Sequence, residues 1–221
     1  MSLPADLELA RFKMIEQQIR PWDVLDQQVL QRLAAVRREE FVPLAHKSMA
    51  FVDMEIPLGH GEVMLAPKVE GRMLQDLQLK PHERVLEIGA GSGYMAALLA
   101  LSAQQVISYE IHADLAQAAR ANLQRAGLSN VEVRHADGAH GASADGPFDA
   151  IVLSGSVAEL PHALLAQLSP GGRLAAVVGY EPMMRATFVT RTGEAAYTTA
   201  QPWDTVAPRL HHFPEPSRFQ F

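Results

Sequence analysis

No cysteine occurs anywhere in this sequence. That absence removes disulfides, thiolate metal sites and cysteine nucleophiles together, so neither a stapled secreted scaffold nor a cysteine-based zinc fold is open to the chain. Long hydrophobic runs are missing too: nothing approaches the roughly 18 consecutive apolar residues of a membrane span, and the polar, acidic first residues do not resemble a signal peptide. A soluble, cytoplasmic protein without a membrane partner is therefore expected. Nor is there an excess of positive charge, because 19 Lys and Arg face 25 Asp and Glu for a net charge of −6, and the basic residues are scattered. Nucleic-acid binding shows as a basic patch, so no nucleic-acid partner is expected. Internal repeats and low-complexity tracts are also lacking. What remains is a chain of 221 residues, 48% of them hydrophobic, long enough for one large α/β unit with an N-terminal extension. Residues 1–3 read as an appended segment and are set aside.

The centre of the sequence is Val85-Leu86-Glu87-Ile88-Gly89-Ala90-Gly91-Ser92-Gly93-Tyr94, an apolar run meeting three glycines at alternate positions, followed by helix-like residues 95–100. A strand, a tight turn and a helix start are implied. Glycines in such a turn let the backbone adopt positive φ and approach a ligand closely, and a helix N-terminus offers unpaired N–H donors. The dinucleotide fingerprint Gly-x-Gly-x-x-Gly would need its third glycine where Tyr94 stands. The pattern here is Glu-x-Gly-x-Gly-x-Gly, which resembles the first motif of class I S-adenosylmethionine-dependent methyltransferases. By itself a glycine loop leaves another α/β nucleotide fold open.

Upstream, Leu9, Phe12, Ile15 and Ile19 recur at helical spacing over residues 5–19 until Arg20-Pro21 ends the run. Residues 25–36 give a second amphipathic helix with Asp26 near its N-cap. Arg37-Arg38-Glu39-Glu40-Phe41-Val42-Pro43 then leaves the helix as a charged loop. Packing of this arm against the sheet and covering of a substrate are equally open readings. Residues 51–67 carry Pro57, Gly59, Gly61 and Pro67 and read as an irregular segment of the kind that is often functional, with Pro67 starting the next helix. Downstream the patterns alternate: strand Gln105–Glu110, helix 113–126 closed by Gly127, strand Val131–His135, strand 149–154, helix 161–168, strand 173–179. Such a march implies a parallel sheet with helices on both faces. About six residues then lead to strand 185–191, too few for the dozen or more of a parallel crossover, so it and strand 195–200 form an antiparallel hairpin. The predicted fold class is α/β: a doubly wound, mostly parallel Rossmann-like sheet with a C-terminal antiparallel hairpin and an N-terminal helical arm. Residues 1–80 form the arm and a substrate-side loop, and residues 81–221 the core.

Ligands of doubly wound sheets bind beyond the carboxyl ends of the strands. The first strand supplies Gly89, Ala90, Gly91, Ser92 and Gly93. The second ends at Glu110-Ile111, about twenty residues past the glycines, where a carboxylate can accept from two ribose hydroxyls. At the end of the third stands Asp137-Gly138, an acid that can accept from an adenine amine beside a glycine that makes room for the ring. The fourth ends at Ser154-Gly155-Ser156 on the same cleft. One strand-end carboxylate alone is commonest as a solvated surface group. Three features in register point instead to an adenosine-binding cleft. Glu87 is open to two readings, a bond to the turn or to a bound amine, or a purely structural role.

Further stretches extend the likeness. Met14-Ile15-Glu16-Gln17-Gln18-Ile19-Arg20, Arg38-Glu39-Glu40-Phe41-Val42-Pro43, Pro57-Leu58-Gly59-His60-Gly61, Asn130-Val131-Glu132-Val133, Asp137-Gly138 with Gly141, Pro147-Phe148-Asp149-Ala150-Ile151-Val152 and residues 164–173 follow in similar order and spacing in the protein-L-isoaspartate O-methyltransferases. The chain resembles that family over most of its length. The resemblance implies S-adenosyl-L-methionine as cofactor, S-adenosyl-L-homocysteine as product, a protein or peptide carboxylate as acceptor, and protein repair through methyl esters of isoaspartyl residues. It implies cofactor contacts at Glu87, Gly89, Ala90, Gly91, Ser92, Gly93, Glu110, Ile111, Asp137, Gly138 and Ser154. Acceptor-side roles fall to His60, Ser154, Ser156 and the position of Leu65, since after Gly61 the family carries a threonine and an active-site serine where this sequence has Val63 and Leu65. A carboxylate is already ionised near neutral pH and can attack a sulfonium methyl directly, so alignment matters more than a general base. No Gly-x-Ser-x-Gly elbow is present. Two alternatives stand beside this reading: the same fold acting on another acceptor, motivated by Val63-Met64-Leu65, or a cofactor-binding protein without transfer activity. His135, His140, His211 and His212 lack the spacing of helical zinc motifs, so no metal site is expected. Residues 213–221 are open to three roles, covering the cleft, binding a neighbour or fraying, and the sequence does not disclose the oligomeric state.

Overall fold

The arm buries only part of its apolar series: Ile15 and Ile19 join Met14 in the core, whereas Leu9 and Phe12 are exposed. The computed structural model describes residues 4–216, so residues 1–3 and the last five of the tail lie outside the described residues. α1 (Pro4–Met14) runs on through a π-helical turn (Ile15–Ile19) and a 3-10 turn (Arg20–Trp22) containing Pro21, and α2 (Gln27–Ala35) follows. Asp26 caps α2 as expected, its carboxylate accepting from the N–H groups of Gln28 and Val29 at 2.8 and 3.1 Å.

Residues 51–67 are less irregular than their glycines and prolines suggest. They contain an antiparallel hairpin, β1 (Ile56–Gly59) and β2 (Glu62–Met64). Its two-residue loop is His60-Gly61, with φ of 56° and 84°, the paired positive values that a type I′ turn requires. Pro67 opens α3 (Pro67–Leu77) at the position where its missing N–H costs nothing.

Seven further strands follow: β3 (Arg84–Ile88), β4 (Gln105–Glu110), β5 (Val131–His135), β6 (Phe148–Val157), β7 (Leu168–Tyr180), β8 (Met183–Arg191) and β9 (Tyr197–Asp204). They make one sheet in the order β5-β4-β3-β6-β7-β8-β9, parallel through β7 and antiparallel over the last two pairings. Between the strands lie α4 (Tyr94–Ala100), α5 (Ala113–Arg125) and α6 (His162–Leu165). Side chains sort by strand parity. Val85, Ala150, Val152, Ala175 and Val177 join one buried cluster, and Leu86, Ile88, Ile151, Leu153, Leu174 and Ala176 join the other. Both faces are therefore buried, as parallel sheets require.

The two sides are covered unequally. Residues of α3, α4, α5 and the arm, including Met14, Ile19 and Leu33, close the first. On the second lie α6, a single turn where the sequence suggests a longer helix, the irregular residues 136–147, and Phe213 of the tail. At the margins, β9 carries one extra residue between the pairs Ala186–Trp203 and Phe188–Ala200, with Pro202 in that bulge. Arg134 of β5 reaches Glu132 and Asp145 at 2.7 and 2.6 Å. Among the described residues no helix is long and apolar enough to cross a membrane.

Candidate functional site

The turn between β3 and α4 is closed by its own amides. Gly89, Gly91 and Gly93 hold φ of 93°, 51° and 84°, which glycine alone adopts readily. The N–H groups of Gly89 and Ala90 donate to the Tyr109 carbonyl at 2.8 and 3.1 Å, and that of Gly91 donates to Glu110 at 2.7 Å. These donors are thus committed inside the protein rather than offered to a ligand. What the glycines give the cleft is a wall without side chains.

Glu110 organises that turn. Its other oxygen accepts from the His112 N–H at 3.0 Å, so each oxygen keeps acceptor capacity for a further donor. Across the cleft, the Asp137 carboxylate accepts from the Ala139 N–H at 2.9 Å and meets His212 Nδ1 at 2.7 Å. Burial alone would raise the Asp137 pKa, but the Ala139 N–H and His212 outweigh it and hold the carboxyl below its ordinary range. Gly138 lines the same cleft, and a Cβ there would lie 2.3 Å from Cγ2 of Ile88, so the close approach of β3 also demands the glycine. Ile88, Glu110, Ile111 and Asp137 wall a narrow cleft, whose remaining side comes from Glu62 and from Leu210, His211 and Phe213.

A second, small recess opens beyond Gly89, lined by Val63, Met64, Leu65, Ser92, Tyr94 and Ser154. Behind it Glu87 is wholly buried and accepts from Ser108 and, at 2.8 Å, from Ser154. Burial raises the Glu87 pKa to about 7 against the pull of those two hydroxyls. Leu65 is fixed through its backbone, because Nη2 of Arg38 donates to its carbonyl at 2.8 Å while Nη1 donates to Glu70 at 2.6 Å. The guanidinium also lies 4.8 Å over the Tyr94 ring. Arg38 is 0% exposed, so the stretch that reads as a charged loop is the arm's anchor in the core.

Leu65 and Ser154 meet beside the glycine turn; His60 and Ser156 do not join them. His60 tops the β1–β2 hairpin, stacked on His112 with 4.2 Å between ring centroids and bonded to Asp114. Ser156 is buried because β6 continues past the expected end at Ser154 and pairs with the tail, its N–H donating to the Pro208 carbonyl at 2.7 Å. Sequence reasoning misses the roles of Arg38 and Glu70, which read as ordinary surface charges until their burial is known, and of Glu62, whose partners His112 and His211 are distant in the chain. It also gives no metal site, yet the fold brings ligand atoms of Glu62, His112 and His211 within 4.8 Å of one another.

Comparison with known proteins follows the same lines. The sequence model of the protein-L-isoaspartate(D-aspartate) O-methyltransferase family matches residues 10–205. A protein-L-isoaspartate O-methyltransferase of Koribacter versatilis is 39% identical over 183 residues, 83% of this chain and 82% of that protein. Its namesake in Methanoculleus marisnigri is 43% identical over 169 residues, 76% of this chain and 77% of that protein. A Plasmodium falciparum protein assigned the same name and crystallised with S-adenosyl-L-homocysteine superposes with a TM-score of 0.78 at 20% identity, over 92% of this chain and 97% of that one. At that identity the likeness bears on the fold alone. With the family model spanning nearly the whole arm and sheet, and relatives above 30% identity covering most of both chains, the chain belongs to the protein-L-isoaspartate(D-aspartate) O-methyltransferase family.

Proposed function

We propose that this chain is an S-adenosyl-L-methionine-dependent O-methyltransferase acting on protein or peptide carboxylates of the isoaspartyl class, with S-adenosyl-L-homocysteine as the second product. Family membership supports the activity. One observation carries its placement: the cleft between Glu110 and Asp137 and the recess beside Leu65 and Ser154 meet at Gly89. A ligand with adenosine at one end and an amino acid at the other would run from the first space into the second past Gly89. Glu110 keeps acceptor capacity for ribose hydroxyls, Asp137 offers an acceptor to an adenine amine, and Glu87 lies behind Ser154 at the end of the recess that would take an ammonium group. An ammonium beside Glu87 favours the ionised carboxylate that burial disfavours.

Bound there, the cofactor supplies a methyl group activated by a sulfonium. The acceptor carboxylate needs no proton removed near neutral pH, so the chain's part is to align it and exclude water. Val63, Met64 and Leu65 keep the recess dry, and Ser92 and Ser154 give it hydroxyls. Methyl transfer to an isoaspartyl peptide, with the matching aspartyl peptide as control, tests the proposal. Ester on the first and none on the second is expected; no ester above background on either refutes it. The apolar Val63-Met64-Leu65 wall favours a second reading, the same chemistry on another carboxylate. Under that reading Leu65→Ser raises isoaspartyl turnover steeply, and unchanged turnover counts against it.

A further inference from the structure

We propose that Glu62, His112 and His211 form a site for a divalent transition-metal ion of the zinc class, and that the ion fastens residues 206–216 to the β1–β2 hairpin. The three residues come from β2, the β4–α5 junction and the segment after β9. Their ligand atoms lie within 4.8 Å of one another. Nε2 of His211 is 2.7 Å from Oε1 of Glu62, and Nε2 of His112 is 3.6 Å from the same oxygen.

The longer spacing is the informative one. At 3.6 Å the pair is too far apart for a hydrogen bond, and His112 Nε2 is buried with no hydrogen-bond partner. A buried polar atom left in that state costs free energy unless something completes it. A tetrahedral zinc with bonds of 2.0–2.2 Å holds two of its donor atoms about 3.4 Å apart, so the Glu62–His112 edge already suits one. The Glu62–His211 edge reaches the same value by opening about 0.7 Å, which an exposed histidine allows.

His112 does not need to be recruited. Its ring stacks on His60 at 4.2 Å with 8° between planes, and His60 is held by both oxygens of Asp114 at 3.0 and 2.9 Å. As the N-cap of α5, His112 makes no side-chain capping bond, which leaves its imidazole free for another role. Imidazole and carboxylate are ligands zinc takes readily, and a site with three protein ligands keeps a fourth position open for water or a small ligand. Glu62 and His211 also border the Glu110–Asp137 cleft, so the ion sits at its rim. By holding His211 it holds Leu210 and Phe213, its neighbours in the tail, over that cleft. The family model matches residues 10–205, so Glu62 and His112 lie inside the matched stretch and His211 outside it.

Zinc titration of the full-length protein, read against a chromogenic chelator, is expected to give one ion per chain, and cobalt in its place the visible bands of a four-coordinate ion. His112→Ala and His211→Ala each weaken binding by more than about tenfold, the loss that removing even a group that merely orients a ligand brings. His140→Ala, outside the cluster, leaves it unchanged. Hydrogen exchange in residues 206–216 slows on adding zinc to the wild type and not to His112→Ala, whose tail sequence is intact; circular dichroism confirms that each variant is folded. Binding well below one equivalent, binding unaltered in both variants, or tail exchange indifferent to zinc overturns the proposal. None of these readouts needs methyl transfer, so failure here is distinguishable from failure of the proposed activity.

Discussion

Replacing Arg38 by methionine removes the guanidinium that joins the arm to the recess. Glu70, 3% exposed, is then left with no counter-charge, and the Leu65 carbonyl loses the donor 2.8 Å away. Breaking a buried ion pair from one side costs about 3–5 kcal/mol, and the lost bond to a carbonyl adds about 1 kcal/mol. A protein of this size loses roughly 2–4 °C of melting temperature per kcal/mol, so Arg38→Met should melt about 10 °C or more below the wild type. Urea unfolding followed by circular dichroism, with unchanged slope, measures the free-energy loss directly. The double variant Arg38→Met/Glu70→Leu separates charge from packing, because replacing a whole buried pair with apolar groups is often neutral or stabilising. It should recover at least about 2 kcal/mol of the single variant's loss. If Arg38→Met lies within about 1 kcal/mol of the wild type, or the double variant is as unstable as the sum of its singles, the anchoring role is refuted.

Two further outcomes test other parts of the site. Burial raises the Glu87 pKa from 4.5 to about 7, so the folded protein holds that proton more tightly than the unfolded chain. Stability from this group is complete below the unfolded value and is lost as pH rises through the folded one. Glu87→Gln, which cannot ionise, should therefore gain on the wild type between about pH 5 and about pH 8, by up to about 3 kcal/mol, and a constant difference between those pH values would count against it. Gly138→Ala places a Cβ 2.3 Å from Cγ2 of Ile88 and should cost about 1–3 kcal/mol. Combined with Ile88→Ala it should cost less than the two single changes added, whereas strict additivity would show that the crowding is not with Ile88.

Local patterns made much of this fold legible. Gln105–Glu110 and Val131–His135 have the bounds their sequences suggest, and the short link before Met183–Arg191 correctly requires an antiparallel pairing. Asp26 and Pro67 act through their immediate neighbours, and the positive φ of the glycines before Tyr94 follows from spacing in the same way, whereas the bonds of that turn's amides to Tyr109 and Glu110 do not. Errors arise where distant segments decide. The hairpin around His60-Gly61 is obscured by the prolines and glycines that build it, although two adjacent residues able to take positive φ were the available signal. β6 outruns Ser154 because Ser156 and Val157 go on pairing with β7 while Ser156 also bonds to Pro208 and Leu210, more than fifty positions away along the chain. Arg38 sits among charges and looks solvated; only Glu70 and the Leu65 carbonyl, brought up by tertiary folding, make its burial tolerable. The same holds for the contacts of His211 and His212 with Glu62 and Asp137.

Pro202 lacks an N–H, and the bulge around it throws the outer strand's ladder out of phase. On the opposite flank, Arg134 with Glu132 and Asp145 sets a knot of charge along the last parallel strand. Each flank thereby discourages the docking of a foreign strand. Lateral growth of the sheet from one molecule into the next is disfavoured along both edges.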